Sequence, residues 1–337
     1  MYGEENRMRL FITFFTILLL ASLSLTGCLF TPSFEEVEPA RQDLANDGSI
    51  APYGEDGWYG SARITRDVLI RTEERVEVDI FVPFNATGSE PAPGPHPSII
   101  LVHGGLVPKE RYHWMARHFA TRGFITFTSE HLLNLALFEA GNDLDAYDRV
   151  TTLAVDASDP LHGLISSQPP AIMGHSLGGV VASKTWTEQP ARVGPLVMLA
   201  SIPAGGHDFA NRPAGSRVLS VAGGVDGSLA PAGAAEGVEQ MREGEENNRV
   251  DFVMVEGMNH YQWTDDATED ELAGDNTPTV TDEVARKNAL FLIDALLEQT
   301  YNPSLDPEAD ILDEPMLWPP GLLTYQGWLN KTDNAGE

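Results

Sequence analysis

Short apolar runs without polar alternation constrain this chain more than any other feature. They read "SIILVHGG", "FITFTSE", "PAIMGHS", "GPLVMLAS", "RVLSVAGG" and "VDFVMVEG", and lie between residues 98 and 257. A strand that is apolar throughout has both faces covered. Such strands belong to parallel sheets, whose crossover connections lay helices on the faces. The intervening segments fit that need. "KERYHWMARHFATRG" puts Trp114, Ala116, Phe119 and Ala120 near one helical face and stops at Gly123. "DLDAYDRVTTLAVDA", "LGGVVASKTWTEQ", "GAAEGVEQMREG" and "TDEVARKNALFLIDALLEQT" supply further helices, the last opening with Thr281 three residues before Val284. Ahead of them, "ARITRDVLI" and "VEVDIFVP" alternate apolar and polar residues, as antiparallel strands with one wet face do. The expected fold class is therefore α/β: a mixed, mostly parallel sheet with helices on both faces, forming one domain over residues 58–300. Little space separates the strand ending near Ser201 from the one starting near Arg217, so little or no cap is expected there.

The run "AIMGHSLGG" raises a chemical question, because it sets Ser176 between glycines where a strand gives way to a helix. Gly174-His175-Ser176-Leu177-Gly178 matches G-x-S-x-G, a turn so tight that bulky neighbours would collide with the following helix. A serine hydroxyl becomes a useful nucleophile only beside a base, and the base needs an acid to orient it. Asp226 stands in the glycine-rich turn after "RVLSVAGG", and His260 follows the next strand in "GMNHYQW". Each alone has a plainer explanation, since an aspartate in V-D-G commonly shapes a turn. The three in the order Ser176, Asp226, His260, each beyond a strand end, read as a catalytic triad, with Asp208 as the alternative acid. The Leu177 amide, first in its helix, offers one oxyanion donor. The turn His103-Gly104-Gly105 offers a second at Gly105, or alternatively at Leu106, while His103 itself reads as structural. His131, Tyr261 and Trp263 are candidates for the substrate pocket, although aromatics after a strand are as often core.

Over roughly residues 60–300 the chain resembles an α/β-hydrolase. "LVHGG", "YHWMARHFATRGF", "GHSLGG" and "GMNHYQW" are most similar to dienelactone-hydrolase-like, chlorophyllase-like and bacterial polyester-hydrolase or cutinase-like esterases. The resemblance implies a serine esterase that works through a covalent acyl-enzyme, without metal or organic cofactor, on a small-molecule or polymeric ester. The same machinery cleaves amides, thioesters or lactones, and a fold can also persist as a non-catalytic binding protein. Three departures are visible. The nucleophile position holds Ser176 where dienelactone hydrolases proper use cysteine. Gly105 stands where polyester hydrolases commonly carry an aromatic residue, and their disulfides are impossible with one cysteine.

That cysteine has a telling place. "MRLFITFFTILLLASLSLTGC" sets Arg9 before an apolar run from Leu10 to about Leu25, then small residues, then Cys28. The run suits a secretory signal, and "LTGC" resembles the lipobox of bacterial lipoproteins, in which the cysteine carries the lipid. The expected organisation is a signal peptide over 1–27, an acidic, proline-containing tether over 28–57, and a C-terminal extension over 301–337 after the catalytic domain. Cys28 would then anchor an exported protein to the cell envelope, and no aspartate follows it to signal inner-membrane retention. The formal net charge of −29, from 50 acidic and 21 basic residues, excludes a nucleic-acid partner. The phosphate-loop lysine and the three-glycine dinucleotide pattern are also missing from "GHSLGG". The insertion "TDDATEDELAGDNTPTV" carries six acidic residues, which read as a solvated loop; their spacing does not match a known calcium loop. In "ILDEPMLWPPGLLTYQGWLN" two adjacent prolines argue against a helix, and the segment is expected to wrap the domain. Oligomeric state, acyl chain length and alcohol are open at this level.

Overall fold

Each apolar run becomes a strand, and each intervening amphipathic segment a helix. The computed structural model describes residues 33–40, 51–131, 141–206, 209, 212, 215–242, 248–302 and 311–334. The expected signal, Cys28 and Asp208 lie outside the described residues.

Strands β1 (Glu35–Glu38), β2 (Gly60–Leu69), β3 (Arg75–Phe84), β4 (Ser98–Val102), β5 (Ile125–Ser129), β6 (Ala171–His175), β7 (Leu196–Leu199), β8 (Ser216–Gly223), β9 (Asn248–Val255) and β10 (Leu322–Thr324) form one sheet. Their order is β1-β2-β3-β5-β4-β6-β7-β8-β9-β10. The six central strands, from β5 to β9 in that order, run parallel; β1, β2, β3 and β10 are antiparallel additions at the two edges.

The helices are α1 (His113–Thr121), α2 (Asn142–Leu153), α3 (Leu177–Glu188), α4 (Pro231–Arg242), α5 (Glu269–Ala273), α6 (Asp282–Tyr301) and α7 (Tyr325–Asn334). Successive strand residues point to opposite faces, and this divides the core in two. Ile100, Val102, Ile172 and Met198 pack with Tyr147 of α2, Trp186 of α3 and Val238 of α4. Ile99, Leu101, Met173 and Val197 pack with Phe119 of α1 and with Ile293 and Leu296 of α6. Side chains buried this completely each contribute about 1.5–3 kcal/mol, so both helical layers are firmly held. The carboxyl ends of β4, β6, β8 and β9 therefore open onto one edge of a rigid platform. No α-helix occurs among the described residues between β7 and β8.

Two sequence expectations are corrected. The tether does not extend to residue 57. Glu35–Glu38 pairs with β2 at Arg63 and Ser61, because Arg63 and Arg117 bind the carboxylate of Glu36. Further on, the Gly54 amide donates to Asp294 (2.8 Å), and Arg122 donates to the carbonyls of Pro52 and Glu55. Phe34 onward forms one compact unit. The C-terminal segment also contains a helix. Pro319 and Pro320 precede β10, which pairs with β9 through Leu322 and Val255, and α7 starts only afterwards. Both prolines lie outside the helix, so they do not interrupt it.

Candidate active site

Ser176 is the residue between β6 and α3, with φ 52° and ψ −123°. A side chain pays a steric penalty at positive φ, so the conformation persists only because its surroundings enforce it. The Ser176 amide donates to the Leu199 carbonyl (2.9 Å), and its carbonyl accepts from the Gly179 amide (3.0 Å) and the Ser201 hydroxyl (2.6 Å). The flanking glycines answer a demand for space. A Cβ on Gly174 would fall 2.2 Å from the Gly178 carbonyl oxygen, and one on Gly178 2.3 Å from that of Val102.

The loop after β4 lies against this turn. A Cβ on Gly105 would stand 3.0 Å from Leu177 Cδ2, so the two expected oxyanion donors belong to touching segments. Leu106 holds φ 64° at the tip of the turn that the Val107 amide closes onto the Gly104 carbonyl (3.3 Å). Tyr112, which no sequence motif marks, ties this loop to the Ser176 turn. Its hydroxyl accepts from the Gly104 amide (2.9 Å) and donates to His175 Nδ1 (2.8 Å). Burial raises the Tyr112 phenol well above its usual range, so it keeps that proton. Burial, and then the neighbouring His260, push His175 far below its usual range, so its ring is neutral.

Lys109 braces the same loop from below. Its ammonium meets the carboxylates of Glu77 (3.0 Å), Asp79 and Glu110 (3.2 Å). Those three acids also have the spacing of a metal site, but the lysine supplies their positive charge. Asp79 further accepts from Thr65 (2.6 Å) and His113 (3.1 Å). Burial pushes its carboxyl upward, yet these partners outweigh that and hold it far below the usual range.

Asp226 and His260 follow the neighbouring strands β8 and β9. The His260 Nδ1–H donates to Asp226 Oδ2 at 2.7 Å, which leaves Nε2 as the bare, basic nitrogen. The other oxygen of Asp226 accepts from the amides of Ser228 (2.9 Å) and Leu229 (2.6 Å), so the carboxylate cannot rotate freely. The His260 ring centroid lies 4.7 Å from that of His175, the residue just before Ser176. The structure thus brings the three expected residues to one edge of the sheet, on tightly held turns.

The pocket residues fare differently. Tyr261 is half-buried and sits edge-on to His260, with centroids 5.4 Å apart. Trp263 is fully buried in the core, so it backs the site and does not line it. His131 is also buried. It bonds Asp143 (3.1 Å) and packs its ring against His103, whose Nδ1–H donates to the Gly104 carbonyl (2.8 Å). Burial, then His131, lower His103 to about 4, which keeps it neutral and structural. A cavity of about 570 Å³ beside Pro169 and Pro170 shares no residue with this constellation.

The acidic insertion is folded onto the site edge. Asp265 pairs with Arg286 (2.8 Å) and Glu271 with Arg111 (2.9 Å), so in-chain arginines answer these charges. Asp275 instead accepts backbone amides, including that of His260 (2.7 Å).

A serine on a forced strand-to-helix turn after β6, with a bonded aspartate and histidine after β8 and β9 at the same carboxyl ends, is the arrangement of the α/β-hydrolase class. The match to the alpha/beta hydrolase family covers residues 98–287, more than half of the chain, and the chain belongs to that family. Among solved structures it is similar to a ferulic acid esterase from Streptomyces cinnamoneus, at 13% identity and a TM-score of 0.57. That likeness covers 79% of this chain and 95% of the other. No curated protein matches the chain.

Proposed function

We propose that this protein is an exported, lipid-anchored serine hydrolase that cleaves carboxylic esters. The observation that carries the reading is the 2.7 Å bond from His260 Nδ1 to Asp226, set beside the forced turn at Ser176. In the proposed reaction Ser176 Oγ attacks the ester carbonyl carbon while His260 Nε2 takes the hydroxyl proton. Asp226 holds the ring and offsets its new charge. The amides of Leu177 and Gly105 bind the oxyanion, each such donor being worth about 3 kcal/mol. Collapse breaks the carbonyl–alkoxy bond, and the alcohol leaves with the proton from His260. Water, deprotonated by the same nitrogen, then releases the acid and restores Ser176. Membership of a hydrolase family and a structural neighbour that is an esterase favour esters over amides as substrates. The anchor reading rests on the apolar run from Leu10 to about Leu25 and the "LTGC" that ends at Cys28.

The test uses residues 29–337 and a fluorophosphonate probe, read by intact mass beside Ser176→Ala. A single adduct that vanishes in the variant is the expected result. A folded protein that takes no adduct would sink the serine mechanism.

A further inference from the structure

The acid and base of the site sit on separate loops, and a 2.7 Å hydrogen bond across them tolerates little relative drift. The strands beneath are locked in register from Ser216 with Asn248 to Gly223 with Val255, but pairing stops there. Beyond it the Val225 amide donates to the Met258 carbonyl (3.0 Å). The next clamp is a side chain from the acidic insertion. One oxygen of Asp275 accepts from the His260 amide (2.7 Å) and the Tyr261 amide (3.3 Å). Its other oxygen accepts from the Gly227 amide (2.7 Å) and from Asn276 next to it (2.8 Å). One carboxylate therefore grips the base itself and the residue immediately after the acid.

The surroundings are built for that grip. A Cβ on Gly227 would lie 2.7 Å from the Asn276 nitrogen, so only glycine lets the strap lie flat on the acid loop. Asn259 donates to the Asn276 carbonyl (2.9 Å), Thr279 to the Gly257 carbonyl (2.9 Å), and Gln262 to that of Val280 (3.0 Å). The strap thus runs along the histidine loop with its own anchors. Bonds from amides to a carboxylate are stronger than neutral ones, and proton transfer is sensitive to small errors in placement.

We infer that Asp275 is a positioning residue, which holds His260 and Asp226 in reacting register across the gap between their loops. The inference rests on the reading of Ser176, His260 and Asp226 as the catalytic triad. It gives the acidic insertion a role in that chemistry which its solvated composition does not suggest.

The experiment compares wild type, Asp275→Asn, Asp275→Ala and Asp270→Asn, an exposed acid on the same insertion. Each is treated with a fluorophosphonate under excess probe, and both rate and final stoichiometry are measured. Asparagine is isosteric but turns one acceptor into a donor that faces an N–H. Asp275→Asn should reach full stoichiometry at a rate about 10- to 100-fold below wild type, with Asp275→Ala slower still. Asp270→Asn should match wild type. A wild-type rate at full or reduced stoichiometry in Asp275→Asn overturns the inference, because a mere anchor lowers the competent fraction and not its rate. Loss of folding in both Asp275 variants has the same meaning. Failure of the wild type to label defeats the triad reading itself, which keeps the two apart.

Discussion

Replacing Tyr112 by phenylalanine removes one oxygen and disconnects the Gly104 loop from the turn at Ser176. The Tyr112 side chain is fully buried, so water cannot substitute for the hydroxyl. The Gly104 amide loses its acceptor at 2.9 Å, and His175 Nδ1 loses its donor at 2.8 Å. Each orphaned buried group costs about 1–3 kcal/mol, and loss of the oxygen leaves almost no cavity. The sum is about 2–4 kcal/mol, since relaxation recovers part of the larger figure. At about 2–4 °C per kcal/mol for a domain of this size, Tm should fall by about 5–15 °C. The catalytic effect is separate. Gly104 adjoins the proposed donor Gly105, and a freed loop loses part of an oxyanion contribution that reaches about 10²–10³ per donor. The expected kcat for a short-chain p-nitrophenyl ester is about 10- to 100-fold lower, with KM changed less than threefold. Thermal melting and steady-state kinetics on one preparation decide it. A Tm within 1–2 °C of wild type would show that the hydroxyl bonds neither group. A lowered Tm with unchanged kcat would confine Tyr112 to stability.

Three further outcomes follow. Burial favours neutral His118, but Asp294 at 3.0 Å outweighs it, with Asp56 adding to and Arg122 opposing the effect, and raises the group to about 9. A folded value above the usual 6.5 stabilises fully below pH 6.5 and less as pH climbs to 9, by up to about 3 kcal/mol. Denaturant titrations should show wild type losing more stability over that window than His118→Gln; parallel losses would refute the linkage. Gly178→Ala should fail to fold, because its Cβ meets the backbone oxygens of Val102 and His103 at 2.3 and 2.4 Å. Gly105→Ala meets a movable Leu177 side chain at 3.0 Å and should fold with Tm near wild type, so an equal loss in both variants contradicts the packing.

The sequence was most legible where one residue type answers one local demand. Continuous apolar runs became central strands because burial on both faces leaves no polar alternation. G-x-S-x-G was legible because only small residues fit the approach of α3 to β6, and the chain order of Asp226 and His260 followed from the strand order. The edges were harder to read. Glu35–Glu38 has no apolar period, and its pairing depends on Arg63 and Arg117, far along the chain. At the other end, the adjacent Pro319 and Pro320 argue against a helix in a window that contains one, because the breakers and the helix occupy different parts of it.

What stayed illegible has a common physical form. Tyr112 reaches His175 across 63 residues, Lys109 reaches Asp79 across 30, and Asp275 reaches the Gly227 amide across 48. In each case a polar side chain is held beneath or beside a loop of the candidate site by a partner that no local period announces. Catalytic residues are found by motif because their chemistry fixes their type and order. The residues that hold them need only reach, so many sequence positions could serve and the sequence alone does not mark which one does. The same reasoning explains why Trp263 and His131 are buried although the sequence offers them as pocket candidates. An aromatic after a strand at the site edge can face the substrate or face the core, and the choice depends on whether the space behind the loop is filled. Here Trp263 fills it, packed behind the His175 ring at 6.3 Å, and His131 fills the space behind His103. The neutrality of His175 and His103 follows from that filling. Burial removes their charge, whereas His260 bonds the Asp226 carboxylate through Nδ1 at 2.7 Å, as the proposed base must.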